Sequence, residues 1–146
     1  MERRMISFIE EQRVATICVV DEENKPYCFS CFYAFDTEKE LFYFKSSLNT
    51  HHGHLLRKQP VIAGTIQPDK LNPLAIKGVQ FTGMIVDSTN GLSAEASRFY
   101  HQKYPFALAM PGKVWVVQPG FIKMTDATLG FGKKIVWPSK EVPEEV

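Results

Sequence analysis

Clustered positive charge is missing from this chain. Of its 146 residues, 17 are Lys or Arg and 16 are Asp or Glu, for a formal net charge of +1, and no basic run exceeds two residues. Holding nucleic acid or an anionic membrane surface by charge needs a basic patch, so neither partner is expected. Long apolar runs are missing too, since nothing approaches the roughly 20 residues that span a bilayer. The first residues, MERRMISFIEEQR, break up their apolar positions with Glu and Arg and lack the core of a signal peptide. A cytoplasmic protein is the expectation.

Cysteine is scarce. Cys18, Cys28 and Cys31 are the three in the chain, which suits a reducing compartment and leaves one over if two join. Cys28 and Cys31 match CxxC, but the surrounding YCFSCFYAF reads as a strand, where residues three apart face opposite sides. No redox or zinc centre is expected at that motif, and the cysteines should be buried or half-buried. Three of the four histidines crowd positions 51, 52 and 54. Helical neighbours on one face sit three or four apart, and no Cys, Asp or Glu adjoins them, so no metal site is expected. Nothing in the order of residues suggests a Ser/His/Asp triad or a catalytic carboxylate pair.

What remains is an ordinary globular composition: 45% apolar residues and a mean hydropathy of −0.15. One domain over residues 1–137 is expected, with 138–146 as a charged, proline-containing tail. Residues 1–12 read as an amphipathic helix that turns Met5, Ile6, Phe8 and Ile9 to the core. Strands are expected over 14–20, 25–35, 40–44, 61–66, 79–86 and 114–117, with a last one beginning at 120. Helices are expected over 50–58 and 91–103, the second with Ser93 as N-cap. Residues 130–134 read as a tight turn with solvated lysines. Six or seven strands joined mostly by short turns, with few helices, point to a mainly β protein, a small antiparallel barrel.

One segment carries more chemistry than the rest. In LFYFKSSLNTHHGHLLRKQP, residues 41–60, an aromatic strand feeds a hydroxyl-rich turn that opens a helix. A helix start offers unpaired N–H groups and the positive end of the dipole, which suits an anion. Ser46, Ser47 and Thr50 add side-chain donors there, and His51 and His52 add charge when protonated.

The order of pieces is itself informative: an N-terminal helix and ATICVV, then CFSCFYAFD and LFYF, the serine-bearing turn and helix, LRKQP, and the glycine-bearing FTGMI. With the ending IKMTDATLGFGKKIVW, the chain resembles, over nearly its whole length, the FMN-binding split barrels related to pyridoxamine 5′-phosphate oxidase. Its likeness is to a small, poorly characterised bacterial branch of that superfamily. The resemblance implies a six- to seven-stranded antiparallel split barrel holding FMN, its phosphate at the start of the helix on a Ser-Arg-Lys-like triplet and a hydroxyl four residues earlier. The triplet falls on Thr50, His51 and His52, and the hydroxyl on Ser46, with Lys45 and Ser47 adjoining. The resemblance also lays the flavin ring along the backbone of residues 28–31, with Ser30, in a homodimer with flavin between subunits, and in such a dimer Lys123 and Lys133 are the candidates to approach the flavin or its ligand. The oxidase's closing tryptophan and arginines are replaced here by FIKMTD, residues 121–126, so oxidation of pyridoxamine phosphate is not expected. An FMN-binding flavoprotein with oxidoreductase activity on an unidentified substrate is the implied function. Two alternatives stay open: a binding or scaffold protein that keeps the barrel without flavin chemistry, and a barrel holding haem or a deazaflavin.

Overall fold

In the computed structural model, which describes residues 1–86, 91–130 and 133–138, seven strands run in the order β3-β2-β1-β4-β5-β6-β7. They are β1 (Val14–Val20), β2 (Pro26–Asp36), β3 (Leu41–Ser46), β4 (Val61–Ile66), β5 (Lys77–Val86), β6 (Lys113–Asp126) and β7 (Lys134–Trp137). Pairing of β3 with β6 closes the first six into an antiparallel barrel, and β7 is added at the free edge of β6. Closure leaves those six strands without the long open edge that invites aggregation. The mainly β split-barrel class expected from the sequence is the class observed.

The strands form where β-branched and aromatic residues alternate with smaller ones. In β1, Ala15, Ile17 and Val19 point inward and are at most 3% exposed, while the residues between them are half-buried. Across the barrel they meet Tyr33, Phe42, Phe44, Phe81, Trp115, Ile122 and Met124. Full burial of each such side chain contributes about 1.5–3 kcal/mol, so the aromatic run of β3 and its neighbours is the main source of the barrel's stability. Phe32, by contrast, stands 42% exposed on the outer face.

Among the described residues, three α-helices flank the barrel. Helix α1 (Arg3–Glu11) inserts Met5, Phe8 and Ile9 into the same core, and Ile6 is half-buried beside them. Helix α2 (His51–Lys58) packs Leu55 and Leu56 inward. Helix α3 (Gly91–Lys103) lies on the outside, where Ala96 and Tyr100 cover Ala34, Tyr43, Val114 and Val116 in a second, smaller core. The strands beneath α3 are therefore buried on both faces, which explains the unbroken apolar runs in β2, β3 and β6.

Three expectations need correction. Ser93 lies inside α3 and is not its N-cap. The two strands expected around Pro119 are one 14-residue strand, β6. Proline lacks an N–H for the ladder, and the register shift opposite Thr82 and Gly83 absorbs it as a bulge. Cys28 is exposed, neither buried nor half-buried, whereas Cys18 and Cys31 are partly buried. The bulk of the expected tail (139–146) and part of the 130–134 turn lie outside the described residues. Among the described residues, no helix is long and apolar enough to cross a membrane.

Candidate functional site

The barrel is split between β2 and β3. The two strands pair only from Tyr33 against Phe44 to Asp36 against Leu41. Before Tyr33, β2 keeps β1 as its partner, and beyond Phe44, Lys45 and Ser46 pair with Val114 and Lys113 of β6. The backbone N–H of Tyr33 donates to the carbonyl of Arg13 at 3.0 Å, which makes that pair a hydrogen-bonded one. Alternation along an antiparallel ladder then turns the N–H and C=O of Cys28, Ser30 and Phe32 away from β1 and into the split. Of these, the Phe32 carbonyl accepts from the Tyr100 hydroxyl at 3.4 Å.

A cavity of about 370 Å³ occupies this opening. Its apolar wall comes from Phe29, Phe32, Tyr100 and Phe106. Its polar wall comes from Lys45, Ser46, Ser47 and His52. A flat aromatic ligand that carries an anion fits that pairing of walls.

The polar wall is built by a sharp turn. Thr50 is the N-cap of α2: its hydroxyl accepts from the Gly53 N–H at 3.1 Å and donates to the Ser47 carbonyl at 2.9 Å. Gly53 is required there, because a Cβ would stand 2.6 Å from the Ser47 carbonyl oxygen. Gly112 approaches the same turn from the other side with φ of +142°, a conformation that favours glycine.

The individual side chains divide clearly. Lys45 Nζ donates to the Ala107 carbonyl at 2.6 Å and lies 3.0 Å from His101 Nε2. His101 Nδ1 sits 2.7 Å from the Ser97 carbonyl, which requires the proton on Nδ1 and leaves Nε2 free to accept from Lys45. Ser46 Oγ is hydrogen-bonded to His52 Nε2. The His52 imidazole stacks on Phe29, and burial, then the neighbouring His51, lowers its pKa from the ordinary 6.5. His52 therefore enters the site neutral at pH 7, and the fixed positive charge on this wall is Lys45, assisted by the dipole of α2.

Not every residue expected at the site converges on it. Thr50 and His51 do not line the cavity: the Thr50 hydroxyl is committed to the cap, and His51 packs edge-on against Tyr27 with centroids 4.8 Å apart. His54 is exposed, so the three histidines point to three different places. Ser30 lines the cavity, with its Oγ 3.5 Å from Thr16 Oγ1 on the outer face. Lys123 lies in a separate hollow with Phe121, Cys18 and Cys28.

Four residues that the sequence did not place in the site are Phe32, Tyr100, His101 and Phe106. Only His101 left a local signal, four residues after Ser97 on one helix face.

The UPF0306 protein plu4501 of Photorhabdus laumondii is 35% identical to this chain over 130 residues, 89% of this chain and 90% of that protein. The UPF0306 protein YhbP of Escherichia coli O7:K1 is 37% identical over 130 residues, 89% of this chain and 88% of its own length. This chain belongs to the UPF0306 family. No family model matches it. Among solved structures, a heme binding protein from Mycobacterium smegmatis superposes with a TM-score of 0.74 at 18% identity, over 88% of this chain and 54% of that one. A FAD-binding protein from Mesorhizobium loti gives 0.69 at 12% identity, over 87% and 96%. An F420 reductase gives 0.61 at 17% identity, over 80% and 93%. At these identities the structural likeness shows the fold alone, and it places this UPF0306 protein among split barrels that include flavin- and heme-binding members.

Proposed function

We propose that this UPF0306 protein is a flavoprotein that binds FMN in the split between β2 and β3. The observation that carries the reading is the two-walled cavity: aromatic rings and an unpaired strand edge face a turn bearing Lys45, two serines and a helix start. The isoalloxazine would lie against Phe29, Phe32 and Tyr100, with its polar edge met by the backbone of Ser30 and Cys28. The phosphate would take Lys45, Ser46 and Ser47. When bound, the flavin supplies hydride or electron transfer, and the protein supplies placement and exclusion of water. The test is uptake of FMN by purified protein, read as flavin absorbance that stays with the protein on gel filtration.

The cavity opens at a rim of exposed apolar side chains: Phe106 and Met110 are each 56% exposed and Leu108 is 70% exposed. A second copy of the chain laid on this rim would close the cavity, which supports the homodimer with flavin at the subunit interface. An oxidoreductase role follows from flavin binding only if the bound flavin accepts electrons, and anaerobic bleaching of the bound FMN by NADH or NADPH tests it.

A further inference from the structure

The cysteine motif visible in the sequence, Cys28-Phe29-Ser30-Cys31, does not hold a pair, but a different pair is present. In the ladder of β1 and β2, Cys18 stands directly opposite Cys28. The Tyr33 N–H donates to the Arg13 carbonyl at one end of this hairpin, and the Asp21 N–H donates to the Lys25 carbonyl at the other. Both hydrogen-bonded pairs fall on odd residues immediately flanking β1, so alternation along the ladder makes Cys18 and Cys28 a non-hydrogen-bonded pair. In such pairs the Cα atoms approach to about 4.5 Å and the side chains stand closest. Disulfides span Cα separations of about 4.4–6.8 Å, so this pair can be bridged without moving either strand.

From this register we propose that Cys18 and Cys28 are a dithiol–disulfide couple, a site of reversible oxidation on the outer face of the barrel. Cys28 is exposed and can meet an oxidant, whereas Cys18 is half-buried behind it. Burial, then the neighbouring Cys28, raises the Cys18 thiol above its ordinary value. Cys31 is excluded, because it packs against the barrel core, where burial pushes its thiol up to about 12.

The chemistry balances with a low-molecular-weight disulfide as oxidant. The Cys28 thiolate attacks one sulfur of the oxidant and releases one small thiolate. Cys18 then gives its proton to solvent, attacks the Cys28 sulfur and expels the second small thiol. The two protein thiols lose two electrons and two protons in all, and the small disulfide gains them. A dithiol reductant reverses the reaction. The couple depends on the strand register and not on whether flavin is bound.

The experiment is incubation of the full-length native protein with glutathione disulfide, then thiol counting and peptide mapping without reduction. The expected result is loss of two of the three thiols and a crosslinked peptide joining Cys18 to Cys28, reversed by dithiothreitol. Cys31→Ser should leave the crosslink intact, and Cys28→Ser should abolish it. Unchanged thiols, glutathione retained on Cys28 as a mixed disulfide, a Cys28–Cys31 link, or a bridge between two copies would each overturn the proposal. Mapping the unsubstituted protein decides among these without relying on any variant to fold.

Discussion

The His52 imidazole lies flat on the Phe29 ring, centroids 3.8 Å apart and planes within 10°. This contact ties the first turn of α2 to the edge of β2, so the serine-bearing turn and the strand that lines the cavity are held as one piece. Ser46 Oγ, hydrogen-bonded to the same imidazole, extends the link to β3.

Acid should loosen this link. Burial disfavours the imidazolium of His52, so the folded protein binds fewer protons there than the unfolded chain. The stability contributed by neutral His52 is complete above its ordinary pKa of 6.5 and is lost as pH falls from there through the lower folded-state pKa. Thermal midpoints measured across this range should decline on the acid side, and His52→Gln should flatten that part of the profile. A His52→Gln profile that keeps the full decline would assign it to other groups.

The same histidine makes a prediction for ligand binding with the opposite sign. A phosphate in contact with His52 favours its protonated form, so FMN binding would take up a proton and weaken as pH rises. An FMN affinity that stays flat from mildly acidic to mildly basic pH would remove His52 from the phosphate site.

Two substitutions at the turn separate shape from charge. Gly53→Ala places a methyl group against the Ser47 carbonyl oxygen and should cost about 1–3 kcal/mol, read by chemical denaturation. Thr50→Ala removes the cap of α2 at a cost of about 1 kcal/mol. Both should weaken FMN binding through the fold of the turn, with lowered stability as the accompanying sign.

Lys45→Ala tests charge with little effect on shape. A charge-assisted hydrogen bond contributes about 1.5–3 kcal/mol, so FMN affinity should fall at least tenfold while the far-ultraviolet spectrum is unchanged. Equal affinity in the two proteins would place the phosphate elsewhere.

Introducing charge at the rim tests the assembly. Met110→Glu should convert a dimer to a monomer in light scattering and weaken FMN binding with it, since the closing surface is lost. A variant that remains dimeric would move the interface to another face.

Much of the barrel was legible because its signals are local. The β-branched VATICVV gives β1 with its bounds intact, and a continuous strand was obscured only at Pro119, where a bulge tolerates the missing N–H. The turn after Phe44 was legible for the same reason, since a hydroxyl, a glycine and a basic helix end lie within one short segment. The apolar wall was not legible: Tyr100 and Phe106 come to Phe32 through the docking of α3, and no spacing in the sequence records that. Nor was the pairing of Lys45 with His101, 56 residues away. Thr50 and His51 were drawn into the site by counting along the chain, whereas the cap and the Tyr27 contact set where they point.

The most direct test of flavin binding in the split is an FMN titration followed by visible absorbance and flavin fluorescence, run in parallel on the unsubstituted protein and on Lys45→Ala. Saturable uptake by the first, with a shifted flavin spectrum and at least tenfold weaker uptake by the second, is the predicted result. No uptake by the unsubstituted protein, or uptake indifferent to Lys45, would contradict it.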